Sequence, residues 1–399
     1  MKILAVHNYY EQAGGEDATY EHEIHLLQQA GHQIVTYQRT NKEIKEMSLL
    51  DKAYLPFQTI WSAEAYKELS ALLKKEKPDL AHFHNTHLMI SPSAYYACRT
   101  EGIPLVQSLD NPRLLCPSAN FFRDGHLCQD CLNKTPPWPG VLHACYRGSH
   151  LQTAVVAAML TTHRWLGTWQ DTVDLYLVAT HFYKEKFTEG GLPANKIFVK
   201  PHFVDPDPGP RKTVPGDYAL FIGRLDPEKG IPTLLNAWEK LKHIPLKIRG
   251  SGKLISLVQA ARDKNEAIDL VDQLSKKELL ELIKGARFLV WPSEGYYETF
   301  GFVAAEAFAC GVPVIASRIG VMQEMVTDQG TGLHFIPGDS DDLAEKVTWA
   351  WEHPEEMVAM GKNARQEFMQ KYTAENNYEQ LMKAYALAIE SANRQHKAR

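Results

Sequence analysis

No apolar run in this 399-residue chain reaches the roughly 18 residues that would span a bilayer. Nothing at the start reads as an export signal: Met1-Lys-Ile-Leu-Ala-Val-His7 is a short strand running straight into a glycine loop, with no extended apolar region and no cleavage site. Both absences point to a cytoplasmic protein whose thiols stay reduced. An excess of basic charge is missing as well. Lys and Arg number 43 against 48 Asp and Glu, for a net charge of −5, which argues against nucleic acid as the main partner. The glycines after the first strand, Gly14 and Gly15, fall short of a full dinucleotide fingerprint, so alone they are equally a plain turn or the lining of a ligand cleft. What is present, 44% apolar and 23% charged residues, is ordinary for a globular chain long enough for two domains.

The chain is organised around the stretch from Pro292 to Ser317. An apolar run, Phe288 to Trp291, breaks at Pro292. A helix is expected from about Phe302 to Cys310 and a strand from Val312 to Ala316, giving a strand-loop-helix-strand unit. Glu306 is the one acid on a helix that is otherwise apolar nearly all round, so it is expected to be buried and to need a hydrogen-bonding partner. Just upstream, the backbone amides of Thr299 to Phe302 open the helix. Gly301 lets a ligand come close to that backbone, an end that favours a bound anion.

The flanking segments read as two α/β halves. Lys2 to Val6 is a buried parallel strand, followed by a helix from about Glu16 to Ala30 that stops at Gly31 and a second strand from Ile34 to Tyr37. Residues 53 to 77 look helical and exposed on one side. Pro78 to Asn85 is a strand ending in polar groups, with His82 and His84 on one face and Phe83 on the other. A histidine at a strand end is more often a structural hydrogen-bonder than a catalyst, and His84 is kept as a candidate for touching donor or acceptor. The strand from Ile103 to Leu109 ends at Asp110-Asn111, and Val173 to Ala179 and Lys196 to Lys200 complete the first half. Five prolines between Pro201 and Gly216 mark a linker. Tyr218 to Gly223 then opens the second half. Arg224 and Lys229, in Arg-x4-Lys-Gly, flank the turn at that strand's carboxyl end, where a guanidinium and an ammonium can neutralise a diphosphate. The strand from Pro245 to Arg249 is followed by Gly250-Ser251-Gly252, whose glycines are expected to leave room for a base and phosphates. No Asp-x-Asp metal motif is evident in the chain.

The string Glu298-Thr-Phe-Gly301, Glu306 and Ala-Cys-Gly-Val-Pro-Val-Ile-Ala316, with Arg224 and Lys229, resembles the nucleotide-sugar site of retaining glycosyltransferases of family 4 (glycosyl transferases group 1). The resemblance covers nearly the whole chain and is densest from 217 to 340. It implies the GT-B fold, two Rossmann-like domains facing across a cleft. The first domain would span 1–200 with an insertion at about 112–150, a linker 201–216, and the donor domain 217–373, with a last helix from about 374 to 399 crossing back. It implies a UDP-, GDP- or dTDP-sugar donor. Arg224 and Lys229 would hold its diphosphate, Glu306 the ribose, Glu298 with the amides of Phe300, Gly301 and Phe302 the sugar, and Gly14 and Gly15 the donor phosphates. The implied acceptor is a glycan or lipid-linked saccharide of cell-surface polysaccharide synthesis, and the two cations replace a divalent metal, so no cofactor is needed for catalysis. Two departures stand out. Asp110 stands where similar sequences carry a histidine near the reacting sugar, and Gly295-Tyr296-Tyr297 is one residue longer than the usual loop. A non-catalytic sugar-nucleotide-binding protein and a nucleotide-sugar epimerase are the alternatives on the same fold.

Four of the six cysteines, Cys116, Cys128, Cys131 and Cys145, fall within thirty residues, two of them as Cys-x-x-Cys. In a reduced compartment this reads as a structural zinc site that fixes a Pro- and Gly-rich excursion. Free thiols, and an iron–sulfur cluster or redox pair, are the alternatives. Cys98 and Cys310 sit in apolar helical context as core residues. The apolar helix from Leu151 to Leu160, continuing to Trp165 and Trp169, reads as core packing or, alternatively, as a surface for a lipid-linked acceptor with peripheral contact at the inner face of the plasma membrane.

Overall fold

The computed structural model describes residues 1–11, 14–212, 216–296 and 298–397; Pro215 of the expected linker and Tyr297 of the expected long loop lie outside the described residues. Two compact units result, one of Met1–Asn120, Gln129–Lys200 and Tyr378–Arg399, the other of Phe121–Cys128 and Pro201–Asn377.

In chain order the first eight strands are β1 (Lys2–Tyr9), β2 (Gln33–Thr40), β3 (Leu80–Phe83), β4 (Leu105–Ser108), β5 (Phe122–Arg123), β6 (His126–Leu127), β7 (Leu175–Val178) and β8 (Ile197–Val199). β5 and β6 form a small antiparallel hairpin grouped with the second unit. The other six make a parallel sheet in the order β2-β1-β3-β4-β7-β8. β1 carries Ile3-Leu4-Ala5-Val6 without alternation because a parallel strand covered by helices is buried on both faces. Ile3, Leu80, Val106 and Leu177 meet Leu27 of the first helix, Gly15–Gln29. Leu381, Tyr385 and Ala388 of the last helix, Ala374–Lys397, join the same core.

The second unit contains β9 (Tyr218–Ile222), β10 (Leu246–Arg249), β11 (Ile268–Val271), β12 (Ala286–Trp291), β13 (Val314–Ser317) and β14 (Gly332–Phe335), parallel in the order β11-β10-β9-β12-β13-β14. Its core gathers Phe221, Leu234, Trp238, Ile248, Phe288 and Val347. In each sheet the strand order reverses once, between β1 and β3 and between β9 and β12. A doubly wound sheet opens a crevice at such a point, at the carboxyl ends of its strands.

Three local expectations change. The helical stretch expected at 53–77 is two helices, Leu49–Ile60 and Ala63–Glu76, because Ser62 turns out of the first and caps the second with its Oγ, which accepts from the Ala65 amide at 3.2 Å. Helix His150–Trp165 does not continue to Trp169. Gly167 takes φ +65°, and Trp169 turns back into the core while Trp165 stays exposed. The proline-rich segment after β8 is held to its own unit: the Val204 amide donates to the Tyr372 carbonyl (3.0 Å), the Arg211 amide to that of Cys310 (2.8 Å), and Asp207 takes two bonds of 2.6 Å from Arg365.

Candidate functional site

In the second unit the turn after β9 is laid against the end of β12. Gly230 adopts φ +69°, and a Cβ there would stand 1.9 Å from the Pro292 carbonyl oxygen, so only glycine permits the approach. The Glu294 amide donates to the Glu228 carbonyl (3.0 Å), and Thr233 donates to the Glu294 carboxylate (2.5 Å). This brings Lys229 onto Glu298 as an ion pair, and Glu298 also accepts from Trp291 Nε1 (3.4 Å) and Ser293 Oγ (3.3 Å). Burial alone would push the Glu298 carboxyl up, but Lys229, Trp291 and Ser293 outweigh it and hold the carboxyl below its ordinary range. Arg224 is half exposed and donates to Asp226 (2.6 Å) and Glu228 (3.0 Å), so two acids hold the guanidinium in its fork.

The glycines of Gly250-Ser251-Gly252 have a packing role. A Cβ on Gly250 would lie 2.0 Å from the Gly223 carbonyl oxygen and one on Gly252 2.6 Å from that of Leu225, so both seat this turn against the Arg224 turn. The Ser251 carbonyl accepts the Leu225 amide at 2.8 Å. Gly301, at φ +101°, caps helix Phe302–Ala309, and a Cβ on it would sit 2.1 Å from the Trp291 ring. The Phe300 side chain is buried against Phe302, His202 and Tyr372, so it is spent on packing. Glu306 is buried, as its apolar helix required, and the partner it needed is Lys276, on helix Lys276–Gly285. The cation pairings of both glutamates, to Lys229 and Lys276, lie far away in sequence and carried no motif of their own.

In the first unit Gly14 faces open space, and its amide donates to the Asp17 carboxylate (3.1 Å) at the start of the helix. Gly15 is the first residue of that helix, so this turn spends the Gly14 amide on its own helix rather than aiming it outward. Asp17 also accepts from His7 (2.8 Å), whose ring stays neutral because burial lowers its pKa more than Asp17 raises it. His84 is buried and neither of its ring nitrogens has a hydrogen-bond partner, contrary to the usual role of a strand-end histidine. Burial, then His82, hold its pKa well below the ordinary value. His82 is satisfied by Tyr385 and Ser108, both at 2.9 Å, and is pushed down to about 3 by burial and by Lys200. Glu23, His82 and His84 are grouped closely enough to hold a metal ion: Glu23 Oε2 lies 3.9 Å from a ring nitrogen of each histidine, while the Lys200 ammonium pairs with the other carboxylate oxygen.

Asp110 lies beside a group that carried no recognised motif. Glu16 accepts from Asn111 (2.5 Å) and from the Tyr10 hydroxyl (2.9 Å), and burial together with the Asp110 charge raises its carboxyl to about 7. Of the cysteines, Cys116 and Cys131 are buried and Cys128 and Cys145 half-buried. Two Asp-x-Asp triplets do occur, Asp205-Pro-Asp207 and Asp339-Ser-Asp341. Asp207 is clamped by Arg365, and Asp339 caps helix Ser340–Glu352 by accepting from the amides of Asp341 and Asp342.

Residues 210–367 match the family model described as glycosyl transferases group 1. An uncharacterized glycosyltransferase of Methanocaldococcus jannaschii is 34% identical over 174 residues, 43% of this chain and 48% of that protein. The O-antigen chain mannosyltransferase C of Escherichia coli is 28% identical over 184 residues, 45% of this chain and 49% of the relative. The chain thus spans about half the length of these curated relatives. Among solved structures, Anabaena HepE in complex with UDP superposes with a TM-score of 0.66 at 16% identity, covering 97% of this chain and all (100%) of that one. A Rickettsia africae glycosyltransferase reaches 0.69 at 17% identity, over 97% and 98% of the two chains. The fold is that of the two-domain GT-B glycosyltransferases.

Proposed function

We propose that the chain is a retaining glycosyltransferase that moves a sugar from a UDP-, GDP- or dTDP-sugar to a glycan or lipid-linked saccharide of cell-surface polysaccharide synthesis, without a divalent metal. The observation that carries this reading is the convergence of Arg224, the Lys229–Glu298 pair and the Gly301-capped helix on the crevice between β9 and β12. Each cation is held in place by acids, so an incoming diphosphate exchanges one set of oxygens for another at positions already fixed. As the glycosidic bond breaks, negative charge grows on the leaving phosphate, and preset cations and amides stabilise it there. Glu306, held by Lys276, hydrogen-bonds the ribose diol. Glu298 and the 300–302 backbone orient the sugar, whose anomeric carbon passes through an oxocarbenium-like state. Attack comes from the same face, with the acceptor proton passing to the leaving phosphate, so no side-chain nucleophile is needed. HepE was crystallised with UDP and with UDP-glucose, which supports a nucleotide-sugar donor.

The test is turnover of mixed UDP-, GDP- and dTDP-sugars with a lipid-linked acceptor pool, products being read by mass spectrometry. Arg224→Ala should lower kcat by about 100-fold or more. Glu306→Ala should mainly weaken nucleotide affinity. Wild-type rates in the first variant, with unchanged affinity in the second, would reject the assignment.

We further propose that Cys116, Cys128, Cys131 and Cys145 hold a structural zinc ion. Gly140 is what supports it. A Cβ there would meet Pro117 at 3.0 Å and Cys131 Sγ at 3.2 Å, while the Cys145 amide donates to the Gly140 carbonyl at 3.0 Å. Three of the cysteine segments therefore meet at one glycine. The Gly140 amide donates to Cys131 Sγ (3.1 Å), a bond that stabilises a thiolate. Metal analysis of purified protein should find about one zinc per chain, since a tetrahedral site takes four ligands. Metal-free, fully folded protein would remove the proposal.

A further inference from the structure

Helix Leu49–Ile60 buries only Thr59 along its length, although it carries Leu49, Leu50, Tyr54, Leu55 and Phe57. It packs on helix His150–Trp165, and the His163 ring ties the two, bonding the Ile60 carbonyl oxygen (2.8 Å) and stacking on Trp61. Helix Trp138–Leu142 also packs on His150–Trp165, leaving an apolar groove of about 580 Å³ whose walls include Trp138, Val141, Ala158 and Trp165. Across these three helices Leu49 is 86% exposed, Leu50 83%, Phe57 64%, Trp138 54%, Leu151 75% and Trp165 77%. Among the described residues, most of the exposed large apolar side chains lie on or directly beside these three packed helices. So much exposed apolar surface gathered on neighbouring helices marks a binding surface.

Charge decides the occupant. From Cys131 to Gln170 the sequence has no Asp or Glu, but it has Lys134, Arg147 and Arg164 along with His143, His150 and His163. The Lys134 ammonium sits 5.0 Å above the Trp138 ring, and Arg164 is anchored on the carbonyls of Lys134 (2.6 Å) and Leu114 (2.7 Å). Trp138, Trp165, Trp61 and Tyr54 are the amphipathic aromatics that settle at a lipid headgroup layer, where Lys and Arg reach phosphates while Leu and Phe enter the acyl boundary. Asp51, beside Lys52, is the one acid on the three helices, so a two-fold dimer through them would set a face almost without carboxylates against itself. We propose that this face, helices Leu49–Ile60, Trp138–Leu142 and His150–Trp165, seats on an anionic phospholipid bilayer. The seating goes beyond the transfer reading and needs neither donor nor acceptor.

The experiment is co-sedimentation of the full chain with vesicles of equal parts phosphatidylglycerol and phosphatidylcholine, against vesicles of phosphatidylcholine alone, with no nucleotide sugar present. Wild-type protein should partition at least about tenfold more strongly onto the anionic vesicles, and 0.5 M salt should weaken that partition. Leu50→Glu/Trp165→Glu should lower binding at least about tenfold. Both positions are exposed, so thermal unfolding should match wild type, and Lys134→Gln/Arg147→Gln serves as a second variant that removes charge but leaves the apolar face. Equal sedimentation of both double variants with wild type, absence of wild type from the anionic vesicles, or a stable dimer in sedimentation equilibrium that Trp165→Glu dissociates would each overturn the proposal. Because no transfer is measured, a negative result leaves the donor-site assignment standing, and a failed donor assay leaves this one standing.

Discussion

Lys229 serves two masters, the partly buried Glu298 carboxylate and, in the proposed reaction, the diphosphate, and the two can be separated. Lys229→Ala strands Glu298 without its cation, which should cost about 1–3 kcal/mol of stability, while turnover falls by about 100-fold or more. Adding Glu298→Gln removes the stranded charge, so the double variant should regain most of the unfolding midpoint and none of the rate. If rate returned together with stability, Lys229 would be a structural partner only. Glu16 offers a second test, in pH. Its folded carboxyl is raised to about 7 by burial and Asp110, so between pH 4.5 and 7 the folded chain keeps a proton that the unfolded chain releases. That contribution to stability is present at low pH and is lost as pH rises. Glu16→Gln cannot ionise, so it should raise the unfolding midpoint at pH 8 and leave it little changed at pH 4.5; an equal shift at both pH values would show that Glu16 is not the titrating group.

At the scale of elements, the segment Pro292 to Ser317 shows what a sequence reveals about a site and what it hides. The helix start, the buried Glu306 and the strand after it follow from apolar runs and one glycine, which are local properties. Lys276, which satisfies Glu306, could not be read, because thirty residues and another strand intervene and nothing in periodicity records which surface lysine bends back. The same limit explains Gly250 and Gly252. Glycine declares a close approach without saying to what, and the partner proved to be the protein's own backbone at Gly223 and Leu225. The helical stretch near 53–77 was legible as helix, but its break at Ser62 was hidden because apolar spacing runs through it. Gly301→Ala tests the element reading. Left-handed φ costs a non-glycine residue about 1–3 kcal/mol, and here the added methyl also collides with Trp291. The variant should unfold at lower temperature and bind nucleotide more weakly, since helix Phe302–Ala309 loses its entry angle. Unchanged nucleotide affinity in a destabilised but folded variant would detach the helix start from the ligand.

For the whole molecule, the two units differ most in how they should meet acid. The first holds six histidines, His7, His32, His82, His84, His87 and His163, whose pKa values burial lowers, foremost among the causes in every case. The second has His334 lowered in the same way. A histidine kept neutral when folded takes up its proton on unfolding, so its contribution is present above about pH 6.5 and is lost as pH falls, at up to about 1.36 kcal/mol per pH unit for each group. Glu16 runs in the opposite sense but is a single group against six. The first unit should therefore lose stability between pH 6.5 and 4.5 several times faster than the second. Hydrogen exchange at pH 7 and pH 5, corrected for intrinsic rates, should show β1, β3 and β4 losing protection while β9, β12 and β13 keep theirs. His82→Gln/His84→Asn, which cannot take up a proton in this range, should flatten the acid slope of the first unit alone. Loss of protection in both units together at pH 5, with the same slope in that variant, would mean that charge elsewhere governs acid unfolding.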